Sequence, residues 1–239
     1  MGADDRLATE IETYTREVEA ALGPRLVALV LYGSAVTGDW VRGTSDVNTA
    51  IVVGDVTLDV LDALAPVVAA RRKSGFAVPL VVDREYLDRA RDVFPMELDD
   101  IRRRHRVLSG MDPFATVAAD PAAVRRECEF EARSKLLRLR AYYLLHAQDG
   151  GDLAGLMAAS AKSFLVLLRH LLQLRGEAVG SGYGDVVVAG ERLLGPLAAF
   201  RAVLGFRTAP PDPAALRATF GGYLAEVERI VAAVDALGA

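Results

Sequence analysis

Every strand-like segment of this chain lies before Arg84. Leu26–Tyr32 (LVALVLY) is a continuous apolar run between Pro24 and Gly33, Asp46–Val53 (DVNTAIVV) is rich in β-branched residues, and Phe76–Asp83 (FAVPLVVD) extends around Pro79. Short apolar runs bounded by Gly and Pro read as buried strands. Pro79 has no N–H to give a ladder, so the third strand is expected at a sheet edge or with a bulge. Beyond Pro121 the pattern is helical, with helices expected over Pro121–Ala147, Asp152–Gly176, Asp185–Leu194, Leu197–Leu204 and Pro213–Leu237. The chain therefore reads as α/β plus α: a small mixed sheet in residues 1–115, then an antiparallel helical bundle in residues 116–239.

Helices also flank the strands. Leu7, Ile11, Tyr14 and Val18 share one helical face that stops at Gly23-Pro24. Leu58–Lys73 has helical spacing, with Pro66 as a kink and Arg71, Arg72 and Lys73 suited to the negative end of its dipole. Pro95 is expected to open another helix, with Glu97, Asp99 and Asp100 in its first turn and Arg102, Arg103, Arg104 and Arg106 toward its end. Leu98, Ile101, His105 and Leu108 would share its inner face, and Gly110 would close it. In the linker Thr208–Pro213, Asp212 is suited to cap the last helix and Pro213 to begin it.

Composition narrows the partners. With 239 residues, 52% hydrophobic and 25% charged, the chain can bury a core and is not disordered. A net charge of −4 argues against nucleic acid as a partner, although the Arg102–Arg106 run could attract phosphates. One cysteine, Cys128, allows no internal disulfide and fits a reducing compartment. Met1–Glu10 is acidic and does not resemble a leader. Leu26–Tyr32 is short, and Phe164–Leu174 is interrupted by Arg169, His170 and Gln173, whereas a membrane span needs ~20 mostly apolar residues. A cytoplasmic protein without a membrane partner is expected.

The chemistry is concentrated between the first two strands. Gly33-Ser34 follows a buried strand, where a small-residue turn lets backbone N–H groups approach an anion: a phosphate cradle. Asp46 and Asn48 stand two apart on a strand and so project to one face. A carboxylate beside bound phosphates suggests Mg²⁺, which prefers oxygen ligands.

Tyr32-Gly33-Ser34-Ala35-Val36 and Ser45-Asp46-Val47 resemble the nucleotidyltransferase superfamily that includes DNA polymerase beta. They look closest to bacterial aminoglycoside adenylyltransferases of the streptomycin/spectinomycin type. The resemblance implies a nucleoside triphosphate held by Gly33, Ser34, Ser45, Asp46 and Asn48, with Asp46 as metal ligand and catalytic residue, and a small-molecule acceptor in the cleft before the helical domain. Two departures stand out. Asn48 occupies the place of a second aspartate, and the family's third carboxylate is missing: its register falls on Ala77, whose face would carry Pro79 and Val81. Only Asp83 offers an acid on that strand. A partly degenerate site with weak or absent transfer and weak Mg²⁺ binding is therefore expected. The alternatives are a competent transferase acting on a small-molecule or protein hydroxyl, and a toxin–antitoxin or regulatory component working through its helical half.

Each feature also has a plainer reading. Gly33-Ser34 could be an ordinary turn, Ser45-Asp46 a turn cap, Asn48 a hydrogen-bonding strand residue, Trp40 a packing residue and Glu97 a helix-start charge rather than the missing base. Arg140 and His146 have the loose spacing of a helical ribonuclease-like site, which also arises by chance. Lys162 could reach the interdomain cleft.

Overall fold

In the computed structural model, which describes residues 3–43, 45–146, 153–206, 211–212 and 214–238, the run LVALVLY is an inner strand of a four-stranded sheet. The chain divides into two units, Met1–Ala119 and Asp120–Ala239. In the first unit, helix α1 (Ala3–Leu22) leads to strand β1 (Leu26–Tyr32), the single-turn helix α2 (Ser34–Thr37) and strand β2 (Asn48–Val53). Helix α3 (Leu58–Arg72), strand β3 (Leu80–Asp83), helices α4 (Arg84–Arg89) and α5 (Pro95–Arg103), and strand β4 (His105–Gly110) follow. The order across the sheet is β3-β2-β1-β4, with β2 and β3 parallel and the other pairs antiparallel. The sheet is thus mixed.

Both faces of β1 are covered, which explains its unbroken apolar sequence. On one side Leu29, Leu31, Ile51 and Val53 pack against Ile11, Tyr14, Val18 and Leu22 of α1 and Val60 and Leu64 of α3. On the other, Ala28, Val30, Ala50 and Val52 meet Leu87 of α4 and Leu98 and Ile101 of α5. Thr49 is buried among apolar neighbours, and its hydroxyl is satisfied by the Tyr14 hydroxyl at 3.1 Å.

Three sequence expectations are corrected. The helix begun at Pro95 ends at Arg103, and His105–Gly110 is a strand, not its continuation. His105, Leu108 and the inner helix residues fit a helical spacing, yet β1 has a second edge to fill, and pairing along it overrides the local pattern. Gly110 ends that strand with φ 82°, and a Cβ there would lie 2.0 Å from the Val27 carbonyl oxygen, so close strand approach accounts for the glycine. The second strand starts at Asn48 rather than Asp46. In the third segment Phe76 makes an isolated bridge to Val47 and the ladder resumes only at Leu80, opposite Ala50. One extra residue therefore bulges around Pro79, on an edge strand as expected. The bulge reverses the side-chain alternation: Phe76 and Val81 pack on the α1–α3 side, whereas Leu80 and Val82 face α4 and α5.

The second unit comprises α6 (Pro121–His146), α7 (Leu153–Leu174), α8 (Tyr183–Leu194), α9 (Ala198–Gly205) and α10 (Leu216–Asp235). Helix α7 packs against α6, α8, α9 and α10, and is the bundle's core. Ion pairs Arg133–Asp235 (3.0 Å) and Arg140–Glu228 (2.7 Å) run α10 antiparallel to α6. The buried Glu226 of α10 accepts from the Ala199 and Phe200 N–H groups, both at 2.9 Å, and so caps the start of α9. Asp212 accepts from Ala214 N–H at 3.0 Å but does not cap the last helix as expected, since α10 begins only at Leu216 with Ala215 at its N-cap; Pro213, Thr208 and Asp152 lie outside the described residues. By length and composition α7 could cross a bilayer, against the expectation from its polar interruptions; 56% of its apolar window is buried inside the unit, including Arg169 and His170.

Candidate functional site

β1 ends at Tyr32, in register with Asn48 of β2 on one side and His105 of β4 on the other. The chain then turns at Gly33, whose φ of 76° and ψ of −149° suit glycine alone. A Cβ at Gly33 would stand 3.2 Å from Asn48 Nδ2, so the turn and this amide are brought together. The Gly33 carbonyl accepts from the N–H groups of Val36 (3.0 Å) and Thr37 (3.3 Å). The Ser34 and Ala35 N–H groups make no backbone bond among the described residues.

Asp46 sits outside the ladder. The Val47 N–H donates to Gly75 O at 2.9 Å and its carbonyl accepts from Ala77 N–H at 3.0 Å, which holds the approach to β2 extended. Val47 is fully buried on the α1–α3 side, while Asp46 is exposed and Asn48 half-buried. Ser45 is buried: its N–H donates to Val41 O at 2.8 Å and its hydroxyl accepts from Val41 N–H at 3.2 Å. Ser45 thus closes the 41–45 loop; Thr44 lies outside the described residues.

Asp46 and Ser45 line a pocket of about 350 Å³ together with Trp40, Arg42, Arg72 and Lys73. Gly33, Ser34 and Asn48 are not part of its lining. Four of the five residues singled out in the sequence therefore fall into two groups, Gly33 with Asn48 and Ser45 with Asp46, while Ser34 follows Gly33 as the first residue of α2.

Among the described residues no three His, Cys, Asp or Glu side chains are grouped to hold a metal ion. The donors present are the Asp46 carboxylate and the Asn48 amide. Mg²⁺ commonly binds through one or two carboxylates completed by substrate phosphates and waters, and this set matches only that minimum.

The expected face of Ala77, Pro79 and Val81 is broken by the bulge, and the Asn48 side of β3 carries Leu80 and Val82. Asp83, the one acid of that segment, caps α4 by accepting from Tyr86 N–H at 2.7 Å. A different acid acts near the loop. Burial, reinforced by the Glu97 carboxylate, pushes the Tyr32 hydroxyl up to about 12. Glu97 stands exposed in the first turn of α5, whose Leu98 and Ile101 pack on the Asn48 side of the sheet. In sequence it is indistinguishable from a dipole-complementing charge. Its neighbour Asp99 is committed elsewhere, accepting from Arg102 (2.9 Å) and Arg103 (2.6 Å).

In the second unit Arg140 is engaged by Glu228. Cys128 is buried, and burial pushes its thiol up to about 12, which makes it unreactive.

No protein-family model matches the chain, and no curated protein matches it. Its fold does match solved structures, among them a spectinomycin adenyltransferase from Enterococcus faecialis crystallised with ATP and spectinomycin. The TM-score is 0.58 at 11% identity, over 93% of this chain and 98% of that one. What the two chains share is the fold, a small mixed sheet followed by a helical bundle.

Proposed function

We propose that this chain is a nucleotidyltransferase-fold protein that binds a nucleoside triphosphate at the Gly33–Ser34 turn and transfers nucleotide weakly or not at all. The observation that carries this reading is the turn itself. A glycine-only backbone directly after a buried strand, followed by two N–H groups that make no backbone bond among the described residues, lies on a fold shared over 93% of this chain with an adenyltransferase crystallised with ATP. Asp46 serves as the metal-binding and catalytic carboxylate, and Ser45 and Asn48 support the nucleotide. A metal ion there would help neutralise phosphate charge. With one carboxylate where such chemistry uses several, its affinity is low and transfer is impaired.

Calorimetric titration with ATP, with and without Mg²⁺, tests the reading. Weak binding with modest Mg²⁺ dependence is expected, and Asp46→Asn should remove that dependence. No heat at millimolar ATP would refute nucleotide binding. Turnover onto a hydroxyl acceptor, abolished by Asp46→Ala, would replace the impaired enzyme with a competent one.

A further inference from the structure

We infer that the pocket beside Asp46 is a second anion site, built for a small phosphate-bearing molecule. Three cationic side chains, Arg42, Arg72 and Lys73, converge on its lining with Trp40, Ser74 and Gly75. Arg42 lies 3.6 Å from Glu10, a partly exposed pair that offsets one charge of each sign. Arg72 and Lys73 make no ion pair among the described residues, unlike Arg71 next to them, which is held by Glu17. The end of α3 therefore presents to the cavity two cations with no ion pair among the described residues, and with Arg42 they outnumber the Glu10 and Asp46 carboxylates of the lining by three to two. Arginine's planar fork matches phosphate oxygens, and lysine adds a mobile point charge.

Two further features favour an anion of modest size. The pocket's volume of about 350 Å³ is at the lower end of small-molecule sites, beyond what a lone phosphate fills. Trp40 also lines it, and its indole N–H is closed off from solvent with no acceptor among the described residues, so a ligand oxygen would satisfy that donor only once the ring turns toward the cavity. The same cations disfavour a polyamine ligand. Protonated amines of an aminoglycoside would meet Arg42, Arg72 and Lys73 against the two carboxylates Glu10 and Asp46, so the net charge of the lining disfavours that class. The phosphate can come from a nucleotide's own tail or from a separate phosphorylated ligand; the site chemistry is the same.

Trp40 is the sequence's single tryptophan, so its fluorescence reports on this pocket without a label. The full chain is titrated with inorganic tripolyphosphate at constant ionic strength, without Mg²⁺. A saturable change is expected, weakened at least tenfold in Arg72→Ala/Lys73→Ala and strengthened a few-fold in Asp46→Asn, which removes a like charge. Both altered cations are exposed, and melting curves will verify that the double variant folds. Spectinomycin should give no saturable change. Repeating the titration with saturating ATP separates the sources: competition identifies the nucleotide tail, and undiminished binding identifies a separate ligand. No response to about 10 mM tripolyphosphate, roughly tenfold above even a weak Kd of about 1 mM, or a response unaltered by the double substitution, overturns the inference. If calorimetry shows no ATP binding while tripolyphosphate still reports through Trp40, the nucleotide reading fails and this site stands.

Discussion

Gly33→Ala is the most direct test of the turn. Alanine must adopt φ 76°, ψ −149°, a region whose occupation by a non-glycine residue costs about 1–3 kcal/mol. Its Cβ must also tolerate Asn48 Nδ2 at 3.2 Å, close enough to push the amide aside by a few tenths of an ångström. Gly38→Ala is the matched control. Its φ of 81° and ψ of 3° are left-handed, but a Cβ there meets nothing within 4 Å, so about 1 kcal/mol is expected. Urea and thermal unfolding of both variants should place Gly33→Ala below Gly38→Ala, with roughly 3–6 °C lost per kcal/mol for a unit of this size. Adding Asn48→Ala to Gly33→Ala should recover part of the loss, because the contact disappears while the backbone strain remains. ATP affinity should fall in Gly33→Ala by more than in Gly38→Ala. A Gly33→Ala protein as stable as wild type, or more stable than Gly38→Ala, would refute the claim that this turn demands glycine.

Asn48→Asp should strengthen Mg²⁺-dependent ATP binding and make melting metal-dependent, since two carboxylates repel until a cation joins them; identical melts with and without Mg²⁺ would count against a metal position there. Glu226→Ala strips the cap from one buried and one part-buried N–H group of α9 and should cost about 2 kcal/mol in urea unfolding; a loss under about 0.5 kcal/mol would show the cap to be dispensable. Tyr32 is raised to about 12 by burial and Glu97, above the ~10 of an unfolded tyrosine. Its stabilising contribution is therefore complete below pH ~10 and lost as pH rises through about 12. Tyr32→Phe should flatten stability against pH in that window, and an unchanged slope would place the titration elsewhere.

Much of the fold was legible because strands and helices differ in period. LVALVLY begins and ends where the sequence suggests, since a continuous apolar run between Pro24 and Gly33 has one fitting environment, an inner strand covered on both faces. The α1 face of Ile11, Tyr14 and Val18 and the helical second half follow from the same rule. Pro79, through its missing N–H, announced an edge strand or a bulge, and the strand has both. The sequence also singled out Gly33, whose backbone conformation supplies the reason, and Asn48, whose amide lies against it.

Tertiary structure alone decided the rest. His105–Gly110 carries a helix-compatible spacing, and only the free edge of β1 makes it a strand. The bulge moves Leu80 and Val82 to the face assigned to Ala77, Pro79 and Val81, because a single inserted residue reverses a period of two. Glu97 acts on Tyr32 from a helix far along the chain, and Arg72 and Lys73 join Asp46 across a turn that no local pattern announces. Local propensity is set by neighbours in sequence. Charges converging on one site are set by neighbours in space, and those are known only once the sheet has chosen its partners.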